Sequence, residues 1–203
     1  MKQLLTTAAV AASLLVLPIA GQAATITASG SVSDGIATPG VRTDVDNAFD
    51  GDLSTFYSLG LGGDLSIDVS PLKLGGEASV VEVTFNSPNS AFPEAAKIFV
   101  SNGSTEVEVG ELFNDGTASG AITVSSNGSN GYKYEISFDS GMYNIFKIVD
   151  TTVENYGSYT SDGFDVAELS VTTVPLPAAL PLLGVGLGGL AFVGRRRRSK
   201  ASS

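Results

Sequence analysis

Between Thr25 and Val174 the apolar and polar positions alternate in short runs, and no stretch sustains a helical period. The pattern predicts nine strands: Thr25 to Ala28, Leu65 to Val69, Ser79 to Asn86, Ala96 to Ser101, Glu106 to Leu112, Ala121 to Ser125, Tyr132 to Phe138, Tyr143 to Thr151 and Phe164 to Thr172. Turn clusters divide them: Gly62-Gly63-Asp64, Asn86-Ser87-Pro88-Asn89, Ser101-Asn102-Gly103, Asn114-Asp115-Gly116 and Asn127 to Gly131. Asn-Gly and Asp-Gly pairs supply the positive φ that tight hairpins require. Short strands at this spacing predict one all-β sandwich over residues 24–173. No internal repeat or long linker divides it.

The two ends follow another pattern. Lys2, an apolar run through Leu17 and small residues up to Ala23 make the three-part plan of a secretory signal peptide over residues 1–23, with Ala24 as the alternative cleavage point. At the other end Val174 to Gly194 is uncharged and stops at Arg195-Arg196-Arg197-Arg198. About 20 apolar residues span a bilayer as a helix, and clustered Arg stays on the cytoplasmic side. Residues 199–203 then form a cytoplasmic tail. Both ends predict the same topology, with the sandwich exported and the tail held in the membrane.

Charge follows this division. The chain carries 11 basic and 21 acidic residues, a formal net charge of −10. All the acidic residues fall between Asp34 and Glu168, against Arg42, Lys73, Lys97, Lys133 and Lys147, so the middle stands at −16. Such a surface excludes nucleic acid, whose affinity rests on neutralised phosphate, and favours divalent cations. The chain has no Cys, His or Trp. Disulfides, thiolate metal sites and a catalytic triad are therefore excluded. A paired-carboxylate hydrolase stays open, but no pair stands out among the acidic residues.

The head of the tail, Val174-Pro175-Leu176-Pro177-Ala178, followed by a glycine-rich apolar segment and four arginines, resembles the VPLPA variant of the bacterial PEP-CTERM sorting signal. The resemblance implies recognition by an exosortase, a membrane-embedded cysteine transpeptidase. That enzyme removes the helix and passes the protein to the cell surface or matrix. Prolines keep the motif extended and outside the helix, as a protease-like enzyme needs.

The stretch Asn47 to Tyr57, NAFDGDLSTFY, resembles a loop of the galactose-binding-like jelly rolls, the discoidin and carbohydrate-binding-module class, with Tyr57 where that class usually has Trp. Ala96 to Gly103 resembles their central strand, and Val166 to Val171 their last. The resemblance implies a jelly-roll-like sandwich and a structural calcium ion. Asp50 and Glu168 would give carboxylates, Thr55 its hydroxyl and carbonyl, and Asn47, Asp52 and Ala167 backbone carbonyls. The bare alternative is an Asp-Gly turn without an ion.

Three further features carry expectations. Asp162 to Asp165 reads as a solvated loop, and Asn102-Gly103-Ser104 and Asn127-Gly128-Ser129 read as turns rather than glycosylated sites. Tyr132, Tyr134, Tyr143, Tyr156 and Tyr159 fit either a sugar site or, more commonly, core packing. The functional expectation is a non-catalytic extracellular interaction module with polysaccharide as candidate ligand. The alternatives are a structural matrix component without a discrete site and a carboxylate-dependent hydrolase.

Overall fold

The computed structural model describes residues 27–31, 41–84, 92–128, 131–157 and 163–174. The export segment, the tail from Pro175 onward, the Asn86 to Asn89 turn, Tyr159 and Asp162 lie outside the described residues. Among the described residues no helix is long and apolar enough to cross a membrane.

Eleven strands are described: β1 (Thr27–Ser31), β2 (Tyr57–Ser58), β3 (Asp64–Asp68), β4 (Lys73–Val83), β5 (Ala95–Ser101), β6 (Glu106–Phe113), β7 (Thr117–Ala118), β8 (Ile122–Ser126), β9 (Gly131–Ser137), β10 (Ile145–Asp150) and β11 (Asp165–Val174). They form two sheets, one in the order β1-β3-β10-β5-β6-β7 and the other β2-β11-β4-β9-β8. The strand pairings among the described residues are antiparallel. This is the all-β sandwich that the alternation predicts.

Period two builds the core directly. In β3, Leu65 and Ile67 are buried while Asp64, Ser66 and Asp68 are not; β10 repeats the pattern with Phe146 and Ile148. These meet Val80 of β4, Tyr134 and Ile136 of β9, and Val166 and Leu169 of β11 in one cluster. Each such side chain contributes about 1.5–3 kcal/mol when taken from water. Tyr134 lies 6.4 Å from Phe164 and Phe138 lies 6.1 Å from Phe146, ring centre to ring centre.

The structure corrects three expectations. The strand read from Ser79 begins at Lys73, because Gly75 and Gly76 continue it rather than turning it. A Cβ on Gly75 would stand 2.5 Å from the Thr172 hydroxyl, beside the register shift in β11, so glycine permits the close approach. Second, a short helix, α1 (Thr152–Tyr156), follows β10. Five residues are too few to display a 3.6-residue period. Third, the region expected as a solvated loop is buried where it is described, at Gly163, Phe164 and Asp165. Phe164 fills the core, and its N–H is held by Asp150. Gly163 has φ 68°, and a Cβ there would meet both Asp150 and the backbone of Gly60.

The tyrosines divide. Tyr134 and Tyr143 are core residues and Tyr132 packs against the core, while Tyr156 is half-buried. Tyr57 is also in the core, and burial, with the Asp64 charge adding to it, pushes its hydroxyl up to about 12.

Candidate functional site

The acidic loop is built by its own side chains. Two 3-10 turns, Val41–Thr43 and Val45–Ala48, lead into it. The Asp50 carboxylate accepts the N–H of Asp52 at 2.8 Å through Oδ1 and the hydroxyl of Thr55 at 2.7 Å through Oδ2. The Asp52 carboxylate turns to the N–H and hydroxyl of Ser54, at 2.9 and 2.7 Å, and these bonds hold it below the usual carboxylate range. Its carbonyl accepts from the Thr55 N–H at 3.0 Å. Asn47 donates its side-chain amide to the Phe56 carbonyl at 3.1 Å, tying the start of the loop to its end.

Both ends of this loop lie against β11. The Val45–Ala48 turn contacts the strand, and Ala48 is fully buried. Phe56 packs with Ala167 and Val81 in a small cluster separate from the main core. Arg42 covers the Phe56 ring at 4.9 Å. The loop therefore reaches Ala167, and Glu168 is the next residue along. β11 shifts register between Val166 and Glu168, which breaks the plain in-out alternation at this point. Glu168 is half-buried and its carboxylate makes no ion pair with the described residues. Every candidate donor is an oxygen, as a hard cation such as calcium requires, and backbone carbonyls are acceptable ligands to it. No group of three or more acidic side chains comes together among the described residues; the set rests on two carboxylates, the Thr55 hydroxyl and carbonyls.

Two buried carboxylates that sequence reasoning passed over matter more to the architecture. Asp150, at the end of β10, is buried and accepts four hydrogen bonds. Oδ1 takes the N–H of Gly62 at 3.0 Å and of Thr152 at 3.2 Å; Oδ2 takes the Thr152 hydroxyl at 2.7 Å and the Phe164 N–H at 2.9 Å. One side chain thus fixes the turn before β3, the start of α1 and the entry to β11. Nothing local announces this, because Gly62 lies 88 residues away in the chain.

Glu82 is fully buried at the end of β4. The signal for it was present, since period two puts Glu82 on the same face as Val80. Its Oε1 bonds to the Thr84 hydroxyl, which also lies 3.3 Å from the Asn114 carbonyl. A hydroxyl has one hydrogen to give. The shorter contact takes it, so Thr84 donates to Glu82. Burial pushes the Glu82 carboxyl up to about 8; the Thr84 bond pulls down, and Asp165 pushes up again. The opposite oxygen, Oε2, has no hydrogen-bond partner among the described residues. The Tyr134 hydroxyl beside it, raised by burial and by Glu82, donates to the Phe113 carbonyl at 2.6 Å. Burial thus favours the neutral form of Glu82.

No family model matches the chain, and no curated protein matches it. Solved structures do resemble it. The family 32 carbohydrate-binding module of NanJ from C. perfringens, in complex with galactose, is 21% identical, with 72% of this chain and 92% of that one covered and a TM-score of 0.43. The C-terminal domain of a chitobiase from Bacteroides fragilis is 15% identical over 74% of this chain and 95% of that one, at a TM-score of 0.48. The family 32 module of AlyQ, in complex with 4,5-unsaturated mannuronic acid, is 16% identical over 72% and 92%, at 0.42. These are likenesses of fold; the sandwich itself rests on the two sheets and their register.

Proposed function

We propose that this chain is an exported bacterial surface or matrix protein whose sandwich is a non-catalytic module for polysaccharide. The observation that carries the reading is the packing of the Asn47 to Tyr57 loop against β11 at Ala167, the arrangement that the resemblance to the galactose-binding-like class requires. The Val174 to Ala178 motif, the apolar segment and the Arg195 to Arg198 stop supply its route: held in the inner membrane, cut by an exosortase-type enzyme, and released to the surface or matrix. β11 runs as extended strand to Val174, so the motif is entered with the backbone already extended.

Processing is tested by mass spectrometry of surface-associated protein. The recovered chain begins at Ala24 or Thr25 and ends near the Val174 motif, without the arginines. An intact C-terminus in all surface protein would make the tail a plain anchor.

In this reading Asp50 and Glu168 hold a calcium ion with the hydroxyl and carbonyl of Thr55 and the carbonyls of Asn47, Asp52 and Ala167. The ion would pin the loop to the last strand. Binding only the native state, it adds about 2.7 kcal/mol of stability at 100-fold over its dissociation constant. The melting temperature is expected to rise with calcium and fall with chelator, with magnesium a poor substitute because it keeps its waters and a tight octahedron. Asp50→Ala and Glu168→Ala each abolish the response and leave the sandwich folded. A calcium-insensitive melt of the unsubstituted protein would leave the Asp-Gly turn without an ion.

A further inference from the structure

The outer face of the five-stranded sheet carries a groove of about 360 Å³, lined by residues of β11, β4, β9 and β8. Register decides what lines it. Ser170 pairs with Ser79, Ser79 with Glu135, and Glu135 with Thr123, so four outward positions stand in one row across four strands. Their neighbours Leu169, Val80, Tyr134 and Val124 turn the other way, into the core. Beside this row lies a second pair, Glu77 and Ser137. At strand spacing of about 4.8 Å the row extends roughly 14 Å, the reach of a short oligosaccharide.

The groove has spare hydrogen-bonding capacity. The Ser79 and Ser170 hydroxyls bond each other at 2.8 Å, which uses one of their two hydrogens. Glu135 pairs with Lys133 at 3.2 Å but itself remains largely exposed. Glu77 is exposed and makes no ion pair with the described residues. Two carboxylates thus stand against one ammonium. Among the described residues no aromatic ring lines the groove, so recognition by these residues runs through hydrogen bonds and charge rather than stacking. Carboxylates accept from ammonium groups in charge-assisted bonds about twice as strong as neutral ones, and they repel uronate carboxylates.

We propose that this groove binds a glycan bearing free amines, a polymer of deacetylated amino sugars, laid across the strands with its ammonium groups on Glu135 and Glu77 and its hydroxyls on Ser79, Ser170 and Thr123. The inference rests on the polysaccharide reading above and names the site and the ligand class. The test is calorimetric titration of the full chain with three probes of equal length: glucosamine oligomers, their N-acetylated counterparts, and an oligouronate. The glucosamine oligomer binds most tightly, and added salt weakens it. Glu135→Gln and Glu77→Gln each weaken it by about tenfold, the worth of one charged hydrogen bond. Both positions are exposed, so the melting temperature stays unchanged and the loss reads binding alone. Tighter binding of the oligouronate, or glycan binding indifferent to both substitutions, overturns the groove and leaves the polysaccharide reading standing. Failure of every glycan to bind overturns both.

Discussion

Replacing Glu82 with glutamine raises the stability of the protein at alkaline pH and removes its main pH dependence between pH 5 and 9. The folded carboxyl titrates near 8 against an ordinary value of 4.5. The folded state therefore holds a proton that the unfolded chain has lost across that interval. Stability falls as pH rises through the window, and it is level on either side. Each unit of difference is worth about 1.4 kcal/mol, so the decline is on the order of several kcal/mol, or roughly 10 °C in melting temperature. Asp52 and Asp68, which lie below the usual range, titrate on the acid side of the window, and Tyr57, raised to about 12, titrates above it. Glutamine keeps an oxygen to accept the Thr84 hydroxyl and cannot ionise, so its melting temperature falls less as pH rises. Thermal melts of both proteins at pH 5, 7 and 9 check this. Parallel pH profiles would place the charge on Glu82 outside the core.

Asp150→Ala produces the largest loss from a single polar side chain. It removes both carboxylate oxygens and strands the N–H groups of Gly62, Thr152 and Phe164. Thr152 and Phe164 are buried and Gly62 is exposed; a buried unsatisfied donor costs about 1–3 kcal/mol, so the two buried ones together cost roughly 2–6 kcal/mol. Asp150→Asn does little better, because one of its two oxygens becomes a donor facing donors. Glu154→Ala serves as the control. Its ion pair with Lys97, 3.0 Å long, is exposed on the glutamate side, and such pairs contribute at most about 1 kcal/mol. Urea denaturation measures all three. A loss below that of Glu154→Ala would show that the three segments around Asp150 are held by other contacts. Because Asp150 fixes the entry to β11, the same substitution also weakens any calcium response that depends on Ala167 and Glu168.

The contrast between these carboxylates explains what the sequence could reveal. Strands such as β3 and β10 were legible because one buried face imposes period two, and a window of five residues contains it. The loop at Asn47 to Tyr57 was legible by resemblance, and its self-bonding through Asp50 and Thr55 is local. Asp150 was not legible. Its partners come from residues 62, 152 and 164, and a terminal Asp after an alternating strand reads as solvated. Helix α1 was hidden for a related reason: a single turn takes its fixing from Asp150 rather than from its own pattern. The groove depended on register across four strands, which alternation alone does not supply, since a shift of one residue turns every side chain to the opposite face.

The account as a whole stands on the sandwich being a glycan-binding module without catalysis. The most direct measurement is equilibrium binding of the exported protein to the matrix polysaccharide of the cell that makes it, with reducing ends assayed in the same samples. The account predicts saturable binding and no increase in reducing ends over time. Absence of binding across the concentration range, or steady release of reducing ends, would contradict it.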